Sequence, residues 1–316
     1  MTTVRTLKQQ VLRALLASPL VNGQQIAAAS GVSRMAVSKA VASLRRDGFD
    51  IESHSGMGYG LRALSPDLTA AEVGARCLSP WWAEIDGAAV VTSTNDHALQ
   101  AGRTGAEGPM AFVAGEQTAG RGRLGRTWHS DRGGAYVSIM VRPRTEAIHV
   151  ATLSLVSALA AARAASAFGV PATVKWPNDV YAEGDKLAGI LLESQASIDG
   201  VEFVVIGVGI NVEPVTHSEA SIARYATEPT AAQVVAAFLD EFAEMYALWH
   251  REGFAPFASE FAGLEINVGR LVTVRNRLGE ELGSGTCVGV DAHGNLVLEQ
   301  PNGVLVTIAS GEVTTR

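Results

Sequence analysis

A short segment near the middle of the chain combines glycines with closely spaced arginines. Residues 120–126 read GRGRLGR. Glycines let a backbone approach an anion closely, and guanidinium groups bind phosphate or carboxylate through paired hydrogen bonds. Cations this close repel one another unless an anion bridges them, so the segment predicts an anion site, with a flexible basic surface loop as the alternative. The residues of this prediction are Gly120, Arg121, Gly122, Arg123 and Arg126.

The same segment formally matches the GxGxxG pattern of dinucleotide-binding turns, but its surroundings argue against that function. A dinucleotide-binding turn opens a helix and is followed by an acidic residue about 20 positions on. Here Thr127-Trp128-His129-Ser130-Asp131 and two further glycines lead into another strand. The GK[ST] ending of a P-loop is also missing. Both nucleotide-binding interpretations are therefore set aside.

A second dense cluster is the KWPND sequence at residues 175–179. Lys175 could neutralise phosphate, and Asp179 could orient it or bind Mg²⁺. Further on, Lys186 begins the apolar strand KLAGILLE. A lysine that enters an apolar strand is expected to meet a ligand anion or an acidic side chain, with an ordinary surface lysine as the alternative.

Small and polar residues complete the candidate site. Gly207 and Gly209 leave one face of a strand without side chains, so a flat ring or another backbone can approach, although tight strand packing would need the same residues. Asn211 follows and could bind a base edge or a ribose. Ser93, Thr94 and Asn95 end an earlier strand, where a helix cap is the alternative, and Gln117 precedes the glycine segment.

The elements that must position these residues form an α+β pattern. Strands are predicted at residues 90–92, 110–115, 135–140, 187–193 and 203–211, and long helices at 148–168 and 231–249. This predicts a sheet with helices packed on one side. In the tail, short strands at 270–275, 281–290, 296–299 and 305–309 alternate with turns and predict a small β-barrel.

The N-terminal segment predicts a winged helix-turn-helix, in the order helix, helix, turn, helix and hairpin. Residues 1–66 carry eight basic against three acidic side chains, a balance of +5 in a chain of net charge −7. A basic domain on an acidic body suits a polyanionic partner, although a spacer domain is the alternative. DNA contacts are predicted for Ser33, Arg34, Ser38 and Lys39 of the third helix and for His54 and Tyr59 of the wing.

Composition bounds the class of protein. Apolar stretches are too short to span a bilayer, and Cys77 and Cys287 lie far apart, as is typical of free thiols in a reducing compartment. The histidines are scattered without zinc-binding spacing. A cytoplasmic protein without membrane association is therefore expected.

The ordered motifs STN, Q-x-x-GRG-R-x-GR-x-W, KWPND, KLAGI-L-E and GxGIN resemble those of biotin–protein ligases, over nearly the whole chain. The N-terminal domain resembles that of the bifunctional branch, in which the ligase also represses the biotin biosynthesis operon. The resemblance implies a winged helix-turn-helix at residues 1–66, a mixed-sheet catalytic domain of the biotin/lipoate ligase type at 67–262 and an SH3-like β-barrel at 263–316.

The resemblance also implies a two-step reaction with ATP, biotin and Mg²⁺. Biotin forms biotinyl-5′-AMP, and the biotinyl group is transferred to a lysine of the biotin carboxyl carrier protein of acetyl-CoA carboxylase. Operator DNA and a homodimer formed with bound adenylate are further expected partners, with residues 142–148 as a candidate dimer loop. The alternatives are a lipoate-type acyl ligase, a regulator that only senses biotin, and a ligase without operator binding.

Roles carry over motif by motif. Leu124 stands where relatives can carry a basic residue, so the resemblance leaves open how the segment holds the intermediate. Asp179 is the candidate Mg²⁺ ligand. Expected catalytic residues are Arg123, Lys175, Asp179 and Lys186; expected biotin-binding residues are Ser93, Thr94, Asn95, Gln117, Arg121, Gly122, Arg123 and Lys186; expected ATP or adenylate-binding residues are Gly120, Arg123, Arg126, Trp128, Lys175, Asn178, Asp179 and Asn211.

Overall fold

The computed structural model describes residues 5–143, 145, 147–198, 200–214, 218 and 220–315, and the side chains of residues 147 and 148 are outside the description. Its N-terminal part has three helices followed by an antiparallel hairpin, in the predicted order. These elements are α1 (Leu7–Ala17), α2 (Gly23–Ser30), α3 (Arg34–Arg46), β1 (Asp50–His54) and β2 (Gly58–Ala63).

Local capping explains where these helices begin. The Thr6 side chain accepts a hydrogen bond from the Gln9 backbone N–H, and the Gln9 side chain accepts one from the Thr6 backbone N–H, a capping box for α1. The Ser33 side chain caps α3 by accepting a hydrogen bond from the Ala36 N–H. Gly31 ends α2 in the left-handed conformation at φ 65°, which sets the turn between α2 and α3. Four apolar residues that recur at helical spacing along α3 are buried: Val37, Ala40, Val41 and Leu44.

A short helix, α4 (Ala70–Arg76), connects this part to the centre of the chain. Arg5 and Arg13 of the N-terminal part donate to the Cys77 carbonyl at the end of α4, over 2.7 and 3.2 Å. Guanidinium groups suit the carbonyl end of a helix. Residues 65–67 thus join two units that are also held together by side-chain contacts.

The centre is a seven-stranded mixed sheet in the order β3-β4-β5-β9-β8-β7-β6. Only β3 and β4 are parallel; the other neighbouring strands are antiparallel. The helix after the STN motif was not predicted, and neither were strands β6 and β7, which are only four residues long. The strands are β3 (Glu84–Val91), β4 (Met110–Gln117), β5 (Gly134–Val141), β6 (Ala172–Lys175), β7 (Asp179–Ala182), β8 (Asp185–Ser197) and β9 (Gly200–Asn211).

Helices cover both faces of this sheet rather than one. The unpredicted helix α5 (Thr94–Arg103) packs beside Met140 and Phe203. The main core lies on the other face, under the long helices. The single helix predicted at 148–168 is two helices, because Thr152 turns back to the His149 carbonyl and accepts the Trp249 indole N–H. These helices are α6 (Ala147–Val150), α7 (Leu153–Ser166), α8 (Ala231–Glu252) and α9 (Ala258–Leu264).

The C-terminal part is a five-stranded antiparallel sheet in the order β13-β12-β11-β10-β14. The last strand lies beyond the segments predicted as strands. The SH3-like barrel stays a prediction. The strands are β10 (Leu271–Arg275), β11 (Glu281–Val290), β12 (Leu296–Glu299), β13 (Leu305–Ile308) and β14 (Glu312–Thr315). No helix within the described ranges combines the length and the apolar character that crossing a membrane requires.

Candidate functional site

A cleft of about 480 Å³ opens between the glycine–arginine segment, the KWPND segment and strands β8 and β9. We call residues 120–126 the Arg loop, residues 175–179 the Lys loop and the cavity the central cleft. Of the residues predicted to bind biotin or ATP, all but Gly120 line it. These are Ser93, Thr94, Asn95, Gln117, Arg121, Gly122, Arg123, Arg126, Trp128, Lys175, Asn178, Asp179, Lys186 and Asn211.

Glycines on β9 make room for side chains of the chain itself. A Cβ on Gly207 would lie 2.2 Å from Asn95 Oδ1, and one on Gly209 would lie 2.4 Å from Trp128 Nε1. The flat ring expected beside these glycines is thus the Trp128 indole. Its Nε1 is buried and has no hydrogen-bond partner among the described residues, so an acceptor from a ligand could satisfy it.

A buried chain of hydrogen bonds crosses one end of the central cleft. The N–H and hydroxyl of Thr94 donate to Gln117 Oε1 over 2.8 and 3.0 Å, and Gln117 Nε2 donates to Ser130 Oγ over 2.8 Å. Ser138 links Thr94 Oγ1 and Asn95 Oδ1 over 2.7 and 2.5 Å. This end therefore presents a preset array of hydroxyl and amide groups. Ser93 beside it is buried and precedes α5 without a side-chain cap hydrogen bond.

Two acids hold Arg121 at the start of the Arg loop. Its guanidinium donates to Asp96 Oδ1 over 2.5 Å and to Glu193 Oε2 over 2.9 Å. Asn95 Nδ2 donates to the same Glu193 oxygen over 2.6 Å, which ties the Arg loop to the buried chain. Burial alone would lower the pKa of Arg121, but the hydrogen bonds to Asp96 and Glu193 raise it above its ordinary value.

Arg123 is held differently. Its Nη1 donates to the neutral Asn178 amide over 2.8 Å. Burial lowers the pKa of Arg123, although the charges of Asp179 and Glu312 act in the opposite direction. The guanidinium stays protonated, so Arg123 is a partly desolvated cation that an anionic ligand would stabilise. The third arginine, Arg126, pairs with Glu312 of β14 over 2.7 Å.

The Lys loop connects β6 and β7 and is anchored by Trp176. The indole is 2% exposed and donates to the Gly294 carbonyl over 3.0 Å, while the Trp176 backbone N–H donates to Glu265 Oε2 over 2.6 Å. Asn178 Nδ2 donates to the Ile190 carbonyl on β8 over 2.8 Å. Lys175 lies over the Tyr181 ring, 5.6 Å from its centroid.

Lys186 meets an acid, as its place at the start of an apolar strand predicts. Its Nζ lies 2.7 Å from Asp179 Oδ1 and 5.0 Å from the centroid of the Trp128 ring. Asn211 Nδ2 donates to the Lys186 and Ala220 carbonyls over 3.2 and 3.3 Å, so this amide holds the start of β8 in place. Within the described residues, no group of three His, Cys, Asp or Glu side chains is arranged to hold a metal.

Several contributors to the site were not predicted from sequence. Ser130 and Ser138 are isolated serines outside the motifs, and nothing in their spacing marked them. Glu193 ends the KLAGILLE motif, so its position was a usable signal. Asp96 directly follows the STN motif. Glu312 comes from β14, 186 residues from its partner Arg126, a separation that no local pattern reveals.

On the N-terminal part, the residues predicted for DNA contact lie mostly at the surface. Ser33, Arg34, Ser38 and Lys39 are exposed on α3. His54 lies beside Glu52, at 3.5 Å. Tyr59 is half-buried, and a Cβ on Gly23 would lie 3.0 Å from its ring. Tyr59 therefore also holds the wing against α2.

The predicted dimer loop is described only in part. Arg142 donates to the Gly102, Ala106 and Glu202 carbonyls, which fixes its guanidinium within the chain. Residues 144 and 146, and the side chains of 147 and 148, lie outside the described residues. Its role in a dimer stays a prediction.

Comparison with protein families divides the chain in the same order as its elements. Residues 7–60 match an HTH domain, residues 87–211 match the Biotin/lipoate A/B protein ligase family, and residues 268–316 match the Biotin protein ligase C terminal domain.

Individual proteins extend these matches to nearly the full length. The chain is 31% identical over 303 residues to the Bifunctional ligase/repressor BirA of Bacillus spizizenii, covering 91% of each. It is 36% identical over 225 residues to the Biotin--[acetyl-CoA-carboxylase] ligase of Paracoccus denitrificans, covering 67% of this chain and 92% of that protein. Among solved structures, it resembles the biotin protein ligase from Aquifex aeolicus in complex with biotin and ATP, with a TM-score of 0.63 and 26% identity over 74% of this chain and 98% of the other.

Proposed function

The chain belongs to the biotin–protein ligase family, in the form that carries an N-terminal helix-turn-helix domain, and we propose that it activates biotin with ATP and transfers it to a protein lysine. It is a biotin–[acetyl-CoA-carboxylase] ligase, and its acceptor is the biotin carboxyl carrier protein of that enzyme. The protein acts in the cytoplasm, in keeping with its two buried free thiols, Cys77 and Cys287.

The observation that carries this proposal is the gathering of cations around one cleft. Arg121, Arg123, Lys175 and Lys186 line it together. Biotin carboxylate and ATP triphosphate are both anions, and their reaction requires fixed positive charge to offset their repulsion. Arg123 suits this best, because its pKa is lowered by burial and its hydrogen-bond partner is a neutral amide.

The first step forms a mixed anhydride. A carboxylate oxygen of biotin attacks the α-phosphorus of ATP, the bond to the β-phosphate oxygen breaks, and pyrophosphate leaves. Arg123 and Lys175 stabilise the phosphate oxygens, and Lys186 contacts the carboxyl oxygen where negative charge gathers. Asp179, 2.7 Å from Lys186, holds that ammonium group in place.

The second step transfers the acyl group. The ε-amine of the acceptor lysine attacks the biotinyl carbonyl carbon, the bond to the AMP phosphate oxygen breaks, and the amine loses a proton as the amide forms. Arg121 and Gly122 cover the intermediate, so that water is kept from the anhydride. Trp128 and Arg126 lie on the nucleotide side, together with Asn178 and Asn211, whereas Gly120 does not line the cleft.

The ureido end of biotin fits the hydrogen-bonded end of the central cleft. Thr94 and Gln117 line this end and carry hydroxyl and amide groups that both donate and accept, which is what a ureido ring presents in return. Ser93 and Asn95 belong to the same buried array. Because hydrogen bonds to neighbours already hold the side chains of Thr94, Asn95 and Gln117 in place, biotin binding costs little side-chain entropy.

A Mg²⁺ ion bound with ATP would supply further charge for the phosphates. The donor set fits such an ion only partly, because Mg²⁺ prefers one or two carboxylates with water and substrate phosphates. Asp179 is the cleft carboxylate that would hold it, and within the described residues no three-ligand cluster is present. The ion would therefore enter with the nucleotide.

Biotin-dependent exchange of labelled pyrophosphate into ATP tests the first step. We expect exchange with biotin and none with lipoate or octanoate. Exchange driven by lipoate but not by biotin would replace this proposal with a lipoate-type acyl ligase. Exchange with biotin but no labelling of an acceptor domain would leave a protein that only senses biotin as adenylate.

The N-terminal domain makes the protein a repressor of the biotin operon as well. Arg34 and Lys39 are exposed on α3, where phosphate and base contacts are made in this motif. We propose that the adenylate-bound protein binds as a homodimer to two half-sites separated by whole helical turns. A gel shift on the organism's own biotin operator, with and without biotinyl-5′-AMP, tests this at several salt concentrations.

Arg34→Ala should weaken operator binding and reduce the slope of affinity against salt by about 1. Arg251→Ala, an exposed arginine on α8 far from the N-terminal domain, is the control and should change neither. Equal operator binding with and without adenylate would contradict control of DNA binding by the adenylate. If the protein does not bind the operator at all, it is a ligase without operator function.

A further inference from the structure

A buried carboxylate lies behind the Lys loop. Glu265 directly follows α9 and is 5% exposed. Its two oxygens accept three N–H groups: the Trp176 backbone at 2.6 Å, the Asn267 backbone at 3.0 Å and Asn267 Nδ2 at 2.7 Å. Glu265 does not line the central cleft, and the mechanism above does not use it.

The segment that carries Glu265 runs along the base of the Lys loop. Residue 265 forms a parallel bridge with Val174 of β6, and the Ile266 N–H donates to the Val174 carbonyl over 2.9 Å. Val174 is the residue before Lys175. The segment that connects the central and C-terminal parts therefore pairs with the edge of the sheet, at the residue before the Lys loop.

A carboxylate is costly to bury, so its place needs a reason. Burial raises the pKa of Glu265, while its three N–H donors and the charge of Lys175 favour the ionised form. A glutamine at this position would have only one accepting oxygen. Its NH₂ group would face those N–H donors that the oxygen does not reach, and two donors cannot bond to each other. The three donors therefore specify a carboxylate.

Trp176 is held from a second direction. Its indole Nε1 donates to the Gly294 carbonyl in the turn before β12. Backbone and side chain of one residue are thus tied to two points of the C-terminal segment. Trp176 lies directly after Lys175 and two residues before Asn178, which receives Arg123. Fixing Trp176 fixes the direction of the Lys loop toward the cleft.

We propose that Glu265 is a positioning residue for the nucleotide: through Trp176 it sets the Lys loop so that Lys175 and Asn178 face the ATP phosphates. The inference rests on the proposed ligase function. Glu265 acts on ATP and not on biotin, because the biotin end of the cleft is built from other segments.

Glu265→Gln tests this through separate KM values in biotin-dependent pyrophosphate exchange. Loss of charge-assisted hydrogen bonds should raise KM for ATP about tenfold and leave KM for biotin within about twofold. A purely structural role would lower the melting temperature without separating the two KM values.

Glu260→Gln is the matched control. Glu260 lies on the neighbouring helix α9 and pairs with Arg163 over 2.6 Å, away from the cleft. The same chemical change there should leave both KM values unaltered. Trp176→Phe removes the indole N–H tether together with part of a buried ring, and should raise KM for ATP about fivefold. In the double variant, Glu265→Gln with Trp176→Phe, KM for ATP should rise by less than the product of the two single effects, because both act through the Lys loop.

An unchanged KM for ATP in Glu265→Gln, or equal rises for ATP and biotin, would overturn the proposal. If Glu265→Gln does not fold, Trp176→Phe decides by the same criterion. Absence of biotin-dependent exchange in the wild-type protein would instead overturn the proposed function.

Discussion

The Arg loop and the Lys loop face one central cleft but are held in different ways. Arg121 and Arg126 are 39% and 66% exposed, and each pairs with an acid that water also reaches. Trp176 in the Lys loop is 2% exposed, and Glu265, which accepts its backbone N–H, is 5% exposed. Both loops carry cations toward the cleft, but only the Lys loop is held through a buried carboxylate.

This difference assigns different tasks to the two loops. Exposed ion pairs contribute about 0–1 kcal/mol each, so the Arg loop can give up its own acids when a ligand anion competes for the arginines. Hydrogen bonds to a buried carboxylate are stronger, about 1.5–3 kcal/mol, and leave the carboxylate unsatisfied when broken. The Lys loop is therefore a preset surface, and the Arg loop is the part that adapts.

The largest effect is expected where the Lys loop meets β8. Lys186→Ala removes the cation that pairs with Asp179, and biotin activation should slow at least about a hundredfold, the usual effect of losing one fixed transition-state partner. Pyrophosphate exchange at saturating ATP and biotin measures this.

Arg132→Ala serves as the control for Lys186→Ala. Arg132 is 69% exposed and pairs with Asp67 outside the cleft, so its loss should change exchange less than about twofold. Normal pyrophosphate exchange in Lys186→Ala would show that Lys186 does not take part in biotin activation.

A smaller effect is expected when the Arg loop loses one tether. Asp96→Asn breaks an exposed ion pair of Arg121 and should change KM for ATP or biotin by no more than about threefold. The same kinetic assay compares it directly with Glu265→Gln. A tenfold effect at Asp96 would mean that the Arg loop is as firmly preset as the Lys loop.

The pH dependence of stability should report the Glu265 anchor. Its pKa in the folded protein is raised above the ordinary 4.5, so in the window above pH 4.5 the native state keeps a proton that the unfolded chain has lost. The contribution of Glu265 to the free energy of unfolding must therefore fall as pH rises through that window. Denaturant unfolding of wild-type protein and Glu265→Gln between pH 4.5 and 7 measures it. The raised pKa would be contradicted if the difference in free energy of unfolding between wild type and Glu265→Gln stayed constant with pH. It would also be contradicted if the wild type gained stability over the variant as pH rises.

The smallest effect concerns Leu124 in the Arg loop. It adopts φ 58° and is 51% exposed, a left-handed conformation that costs leucine about 1–2 kcal/mol. Asparagine tolerates this conformation better, so Leu124→Asn should raise the free energy of unfolding by up to about 1 kcal/mol. Leu278→Asn, at another exposed position without positive φ, should give no gain.

Much of the cleft could be predicted because its motifs lie where neighbouring strands end. Lys186 enters β8, and Gly207 and Gly209 lie on β9; both strands were predicted, and the fold pairs them. The third helix of the N-terminal part was predictable for a similar reason: Ser33 caps it, and its apolar residues recur at helical spacing.

The rest depended on contacts that no local pattern carries. Strands β6 and β7 are four residues each, too short for an alternating pattern to be recognised. Helix α5 is polar and contains Gly102, which weakens both its pattern and its propensity. Glu265 reaches Trp176 across 89 residues, and Glu312 reaches Arg126 across 186, so only the folded chain brings these acids to the loops.

Hydrogen exchange of the backbone amides is the most direct test of a preset Lys loop facing an adaptable Arg loop. In the free protein, amides of residues 121–127 should exchange at least about a hundredfold faster than the Trp176 amide bound to Glu265. Biotinyl-5′-AMP should slow the Arg-loop amides at least about tenfold and change the Trp176 amide by less than about threefold. Equal exchange of both loops in the free protein, or protection by the adenylate at Trp176 alone, would contradict the account.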